Sequence, residues 1–324
     1  MADRRAESPR DSRPGSGGTS DALPQPVTAP RQILAGKTYL VTRRCSERRF
    51  FLKPTAASRA IFEFVLAVAA EKYGIAVHAF CVLSNHFHLV VTDRQGRLPE
   101  FHRDLDGLVA RATNRFLGRW ESFWDPDSYS AVALEDGNAI LEKMVYVLAN
   151  PVVAGLVRKA SDWPGLWSAP SLMDGDALTV KRPAILFREN GPLASTATLR
   201  LCRPPGFEND DSLIPTLMAL LQDAEDRAAA ELERDGRHFL GVARILAQDP
   251  LSSPASGEPR MAMSPRVATR NKWKRIEALQ RLAEFVSGYK VALAAWRAGE
   301  RRVLFPAGTW LMRLQHGACC CVYG

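Results

Sequence analysis

The sequence predicts an α+β fold in which an antiparallel sheet carries helices on one face and a mainly helical C-terminal region follows. Three observations support this prediction. Apolar residues make up 46% and charged residues 24% of the 324-residue chain, which is typical of a folded globular protein. Alternating and helical apolar patterns succeed one another in the order β-α-β-β-α-β-α. After about Leu172 the pattern becomes mainly helical.

The first half of this order begins after a predicted disordered basic tail, residues 1–34, which has few large apolar groups to bury. A helix is predicted from about Ser58 to Tyr73. Gly74 is suited to end it, because glycine readily adopts the left-handed conformation found at helix C-termini. Strands are expected on either side of this helix, at Thr38 to Arg43, Ile75 to Leu83 and His86 to Thr92.

The second half begins with an amphipathic helix predicted from about Leu98 to Leu117, where apolar residues recur every three or four positions. A short strand follows at Tyr129 to Leu134. Another helical face runs from Ile140 to Leu148, and Pro151 is expected to end that helix because proline lacks the N–H that a helix interior needs. The complete order fits the ferredoxin-like plan, with helices on one side of the sheet.

Three regions are therefore expected: the tail, a first domain over residues 35–172, and an accessory, mainly helical, basic region over residues 173–324. The last region contains a weak strand pattern near 177–187, a helix from about Ser212 to Arg234 and a basic helical segment from about Val267 to Ala298. A Pro- and Ser-rich linker precedes the basic segment.

Positive charge is concentrated at the C-terminal end. The whole chain carries a net charge of +8, and residues 251–324, with 12 Lys and Arg against 4 Asp and Glu, account for all of it. A basic surface favours binding to nucleic-acid phosphates, although solvated surface charge is an equal alternative. The basic residues Lys272, Lys274 and Arg275 are candidates for DNA contacts, with simple helical packing as the alternative for this segment.

Cysteine usage and hydropathy indicate a cytoplasmic, nucleoid-associated protein. The six cysteines form neither a pair of CxxC units nor an evenly spaced framework, which suits a reducing compartment. Cys319 to Cys321 are expected in a frayed tail. The sequence has no secretory signal and no apolar run of about 20 residues, so no membrane partner is expected.

Two histidines form the first candidate for chemistry. His86 and His88 lie in a predicted strand, where alternate side chains project from the same face. Neutral imidazoles are good ligands for a divalent ion, and a rigid strand places them in advance. A His-x-His pattern also arises by chance, so the motif alone is weak. His78, in the adjacent strand, is expected to pack or to form a supporting hydrogen bond.

The second candidate is a tyrosine and an asparagine four residues apart in the helix EKMVYVLANP. Tyr146 and Asn150 therefore lie one above the other on one helix face. The tyrosine could reach a metal-bound phosphate, and the amide oxygen could complete the metal's ligands. The alternative is that Tyr146 packs in the core and Asn150 caps the helix before Pro151.

Together these segments resemble the single-tyrosine HUH transposases, and within them the IS200-like, REP-associated tyrosine transposases. The resemblance covers about residues 35–170. It depends on the order of elements and on the strings VLSNHFHLVV, FWDPDSYS, YVLANPVVAGLV and DWPGLWS. It implies that residues 35–172 are the catalytic domain, that His86 and His88 are metal ligands, that Tyr146 is the nucleophile, and that Asn150 is a third ligand.

The resemblance also implies the reaction. A divalent metal, Mg²⁺ or Mn²⁺, would assist Tyr146 in cutting single-stranded or hairpin DNA, giving a 5′-phosphotyrosine and a free 3′ hydroxyl. Two imidazoles make Mn²⁺ the better chemical match and would also tolerate Zn²⁺. No nucleotide triphosphate is expected, because the covalent link conserves the energy of the broken bond and the chain has no GxxxxGK[ST] loop.

Further DNA contacts are expected from the run RRCSERRFFLK, in which cations lie beside two phenylalanines. Cations that bind phosphates beside aromatics that stack on bases are the usual way to hold single-stranded DNA. Solvated charges over a phenylalanine core are the alternative. Trp124 could also stack on a base, or it could fill the core. The candidate cations in this run are Arg43, Arg44, Arg48, Arg49 and Lys53.

Other functions remain open at this level. A related nicking enzyme of replication or plasmid transfer would use the same residues. A non-catalytic nucleic-acid-binding ferredoxin-like protein, or an inactive transposase relic, would bind DNA without cutting it. The sequence does not distinguish a monomer from a homodimer.

Overall fold

The computed structural model describes residues 30–126, 129–184, 188, 190–255 and 265–321. Most of the predicted basic tail, residues 1–29, lies outside this range, as does part of the predicted linker, residues 256–264. The description below concerns only the described residues.

Strands and helices alternate through the first half of the chain and helices dominate the second. The strands are β1 (Lys37–Arg44), β2 (Ile75–Val82), β3 (His86–Asp93), β4 (Ser130–Leu134), β5 (Leu178–Lys181), β6 (Thr196–Leu199) and β7 (Val267–Ala268). The helices are α1 (Ala56–Tyr73), α2 (Leu98–Phe116), α3 (Gly137–Val153), α4 (Leu213–Arg234), α5 (Val242–Ala247), α6 (Lys272–Arg297) and α7 (Leu311–His316).

The main sheet has the strand order β2-β3-β1-β4-β7. Its first four strands are antiparallel neighbours, and this order is that of the ferredoxin-like plan. The short β7 adds a fifth strand, parallel to β4. The predicted α+β class, with a helical C-terminal region, is confirmed.

Helices cover both faces of this sheet. Phe87 of β3 packs against Phe62 of α1 and against Trp124, whose indole N–H donates to a carbonyl of α2. The two helices of the ferredoxin-like unit therefore share one face, as predicted. The neighbouring His88, which points the other way, contacts Tyr146 of α3. The third helix thus lies on the opposite face, a placement that the simple plan does not include.

Local sequence explains where α1 begins and ends. Thr55 and Ser58 form a reciprocal capping box at its start. Gly74 ends it in the left-handed conformation, with φ 64°, as the sequence predicts.

The end of α3 differs from the prediction. Pro151 does not end the helix but lies inside it, and the helix continues to Val153. Proline at this position removes one backbone hydrogen bond of the last turn. Its buried ring and the neighbouring Val152, which is fully buried, keep the turn in place.

The C-terminal region packs into the same core as the first half. Leu217 and Leu221 of α4 are buried in it, and Glu225 accepts a hydrogen bond from the backbone N–H of Ala160 at 2.7 Å. The weak strand pattern near 177–187 contains β5, which pairs with β6, while its last residues, 185–187, lie outside the described residues.

Three further segments differ from their predictions. The basic segment predicted to be helical from Val267 begins as the strand β7, and α6 starts only at Lys272, where Asn271 caps it. Ile33, in the predicted disordered tail, is buried and bonds to Gly308. Cys320, predicted in a frayed end, forms an isolated parallel β-bridge through its backbone with Phe305 and packs against a second small apolar cluster.

Among the described residues, no helix has the length and apolar character needed to cross a bilayer.

Candidate active site

The two histidines of β3 lie side by side on the sheet face that α3 covers. The ring centroids of His86 and His88 are 4.8 Å apart, with the rings nearly perpendicular. The strand register places Arg44 of β1 opposite His86 and Thr42 opposite His88. Because directly opposed residues of antiparallel strands share a face, these four side chains form one group.

Hydrogen bonds hold both imidazoles in orientation. Asn85 Oδ1 lies 2.7 Å from Nδ1 of His86 and accepts a hydrogen bond from it. Thr42 Oγ1 lies 2.7 Å from Nδ1 of His88 and can do the same. With the proton on Nδ1, the lone pair of each ring is on Nε2, which is the arrangement that protein partners of metal-binding histidines impose.

Both imidazoles are neutral at physiological pH. Burial lowers the pKa of His86 to about 4, and the positive charge of Arg44 acts in the same direction, while a hydrogen bond with Asn150 opposes them. Burial also lowers the pKa of His88, assisted by His86 and Arg44. Neutral imidazole is the form that binds a metal.

Helix α3 brings Tyr146 to this pair. The ring of Tyr146 lies against that of His88, with centroids 5.2 Å apart and an interplanar angle of 76°. The tyrosine side chain is 42% exposed, so a large substrate can approach it. Lys143, one turn earlier, has its Nζ 5.8 Å from the Tyr146 ring centroid and adds positive charge beside it.

Asn150 lies one turn after Tyr146 and is buried. Its side chain lies close enough to His86 to raise the pKa of that imidazole. The asparagine therefore reaches the imidazoles, rather than only capping the helix. The residues named from the sequence as His pair, tyrosine and asparagine thus come together in one place.

The segment DWPGLWS fixes α3 against the sheet. Trp163 donates its indole N–H to the carbonyl of Val82 at 3.1 Å, and Trp167 donates to the carbonyl of Leu148 at 2.9 Å. Gly165 is required between them, because a Cβ there would collide with the Trp163 ring and lie 3.0 Å from the Val82 carbonyl. These bonds set the position of the tyrosine helix over β3.

The donors at this site fit a divalent metal bound by few protein groups. Among the described residues, no group of three or more His, Cys, Asp and Glu side chains could hold a metal. The available donors are two neutral imidazoles and one amide, so substrate or water oxygens would supply the other ligands. Such a mixed nitrogen and oxygen set suits Mn²⁺ better than Mg²⁺.

Two of the predicted DNA contacts lie away from the histidines. Arg43 and Trp124 lie on the opposite sheet face, where Arg43 is within 3.6 Å of Asp106 and its guanidinium lies over the Trp124 ring. Trp124 is buried against Phe87. Adjacent residues of a strand point to opposite faces, so of the two arginines that end β1 it is Arg44 that shares the face of the histidines.

The remaining predicted cations have different surroundings. Arg49 pairs with Glu47 at 2.6 Å on the surface, and Lys53 is partly exposed. The backbone carbonyl of Arg48 accepts from Asn85 at 3.2 Å, so this loop adjoins the histidines. The candidates on α6, Lys272, Lys274 and Arg275, are all exposed.

Sequence reasoning missed Thr42, Asn85 and Lys143. The only local signals were the position of Asn85 directly before the His-x-His pattern and that of Lys143 one helical turn before Tyr146. The contact of Thr42 depends on the pairing of β1 with β3, which has no local signal.

The site and fold define a mixed α/β protein with a His-x-His pair beside a tyrosine. No protein-family model matches the chain, and no curated protein matches it. The chain is similar in structure to a REP-associated tyrosine transposase bound to a REP hairpin, at 20% identity over 42% of this chain and 78% of that one, with a TM-score of 0.36.

A Deinococcus radiodurans R1 protein assigned as a transposase is similar at 18% identity over 35% of this chain and 90% of that one, with a TM-score of 0.28. Similarity this distant does not carry function from one chain to another. The proposal that follows therefore depends on the residues of the site.

Proposed function

We propose that this protein is a transposase that nicks and rejoins single-stranded or hairpin DNA with Tyr146 as the nucleophile. The observation that carries the proposal is the contact between the Tyr146 ring and His88, beside a second neutral imidazole and a buried amide. A tyrosine packed only for stability would not need two neutral imidazoles held at one point.

The residues divide the work of cutting a phosphodiester. A divalent metal held by His86, His88 and Asn150 would neutralise charge on a non-bridging phosphate oxygen and so make phosphorus easier to attack. Arg44, on the same sheet face, adds a fixed positive charge to this region. The hydrogen bonds of Asn85 and Thr42 hold the imidazoles so that they need not reorient.

The hydroxyl oxygen of Tyr146 forms a new bond to phosphorus in place of the bond to the 3′ oxygen. The tyrosine oxygen attacks phosphorus and loses its proton, the bond from phosphorus to the 3′ oxygen breaks, and that oxygen leaves as a hydroxyl after taking up a proton. The product is a 5′-phosphotyrosine with a free 3′ end. The reverse attack by a 3′ hydroxyl rejoins the strand, and neither direction needs a nucleotide triphosphate.

Covalent capture of DNA tests this proposal. Wild-type protein is incubated with Mn²⁺ and a 5′-labelled or 3′-labelled hairpin that has single-stranded flanks, and the products are separated under denaturing conditions. We expect a protein-linked band with the 3′-labelled strand only. Tyr146→Phe should abolish it, while Tyr289→Phe, which removes the same hydroxyl from α6, should not.

Variants of the metal-binding residues complete the test. His86→Ala and His88→Ala should lose the band while still binding the hairpin. Full activity in both would overturn the metal assignment. Binding of DNA by wild-type protein with no covalent product would instead identify a non-catalytic DNA-binding protein or an inactive relic.

A further inference from the structure

A basic surface with an exposed aromatic ring lies at the start of α6. Trp273 is 75% exposed, and Nζ of Lys272 lies 5.9 Å from its ring centroid. Lys274 and Arg275 are also exposed. An exposed indole among cations is the combination that binds stacked bases and backbone phosphates of single strands.

This surface is joined to the helix of the proposed nucleophile. Arg270, just before α6, has Nε 2.7 Å from Oε2 of Glu142 on α3. Lys143 directly follows Glu142 in the chain. Its Nζ lies 3.1 Å from Oε1 of the same carboxylate and is also beside the Tyr146 ring. A continuous series of cations therefore leads from Tyr146 to Trp273.

The distances along this path suit a few nucleotides. Glu142 and Tyr146 are four residues apart, which is about 6 Å along a helix. Arg270 and Trp273 are three residues apart, so their Cα atoms are separated by at most about 11 Å. A strand bound at Tyr146 could reach Trp273 within the roughly 4 to 16 nucleotides that single-strand-binding folds cover.

Two carboxylates near this path are already engaged. Glu142 is shared by Arg270 and Lys143. Asp136 accepts from the backbone N–H of Ala139 and from the hydroxyl of Thr269. Arg270 itself is 86% exposed, so its ion pair contributes little and a phosphate can compete for the guanidinium.

We propose that Arg270 and the segment Lys272–Arg275 hold a single-stranded extension of the DNA next to the phosphate that Tyr146 attacks. This inference rests on the proposed function and adds a substrate preference to it. Hairpins with an unpaired extension on one side should be bound more tightly than hairpins without one, because only unpaired bases can stack on Trp273.

Fluorescence anisotropy tests this preference. Binding is measured in a Tyr146→Phe background, so that no DNA is cut, with a hairpin alone and with about 8 unpaired nucleotides on the 5′ or the 3′ side. We expect one extension to increase affinity. Trp273→Ala should remove that increase, which lowers the affinity for the extended hairpin at least about fivefold. Trp273→Phe should keep most of the increase. Arg270→Ala should lower the salt dependence by about 0.7 in log–log slope, as expected for one lost phosphate contact.

Arg297→Ala is the matched control, because Arg297 is an exposed arginine in the last turn of the same helix. Equal affinity for the three DNAs, or equal effects of Trp273→Ala and Arg297→Ala, would overturn the inference. If wild-type protein forms the covalent product but Trp273→Ala does not weaken binding in the Tyr146→Phe background, this inference is wrong and the proposed function is unaffected. If Trp273→Ala weakens binding of the extended hairpin but wild-type protein forms no covalent product, the inference about this surface is supported and the proposed function is wrong.

Discussion

Metal binding at His86 and His88 should hardly change between pH 7.5 and 5.5. An imidazole with an ordinary pKa of about 6.5 is about nine-tenths protonated at pH 5.5, which would weaken binding about 10-fold for each ligand and about 100-fold for the pair. Burial and Arg44 lower the pKa of His86 to about 4, and that of His88 is lowered too. With the pKa of His86 near 4 and that of His88 well below its ordinary value, both rings stay mostly neutral at pH 5.5, so the loss should be far smaller than about 100-fold.

Calorimetric titration with Mn²⁺ at the two pH values measures this directly. His86→Ala and His88→Ala should show no comparable binding at either pH, which confirms where the ion binds. Arg44→Gln removes the positive charge that helps keep the rings neutral, so its binding should become more sensitive to pH. A wild-type dissociation constant about 100-fold larger at pH 5.5 would refute the argument that these imidazoles stay neutral.

Three other variants test separate parts of the structure. Thr42→Val should weaken Mn²⁺ binding about 10- to 100-fold in calorimetry, because His88 loses the partner of its Nδ1; unchanged affinity would show that Thr42 does not orient the ring. Trp124→Ala should destabilise the fold by roughly 3–5 kcal/mol in urea unfolding, since the ring is buried; weaker DNA binding with unchanged stability would restore it to the DNA interface. His78 has a folded pKa of about 4 because it is buried, so the unfolded state binds more protons between about pH 6.5 and 4, and stability falls as pH decreases through that window. His78→Gln should remove roughly 3 kcal/mol of that fall, and an unchanged pH dependence of unfolding would contradict the burial argument.

Much of the fold could be predicted because its elements have strong local patterns. The apolar periodicity of α2 and the short, mostly apolar runs of β2 and β3 each indicate one element without reference to the others. The placement of α3 on the second face could not be predicted in this way, because it depends on the indole bonds that Trp163 and Trp167 make to distant carbonyls. The two-residue strand β7 is too short to produce any pattern.

The same distinction applies to the site. His86 with His88, and Tyr146 with Asn150, could each be paired from the sequence because residues two apart in a strand and four apart in a helix share a face. Whether the two pairs meet is a question of tertiary packing. Thr42 enters the site only through strand register.

Strand geometry separates the two arginines of β1. Arg43 and Arg44 are consecutive in a strand, so at most one of them can lie on the face of the histidines. The structure places Arg44 there and Arg43, partly buried, beside Asp106.

The most direct test of the central claim is mass spectrometry of wild-type protein after reaction with hairpin DNA and Mn²⁺, followed by nuclease and protease digestion. We predict a nucleotide phosphate attached to the peptide that contains Tyr146. A DNA adduct on any other residue, or an adduct of equal yield in Tyr146→Phe, would contradict the assignment of this tyrosine as the nucleophile.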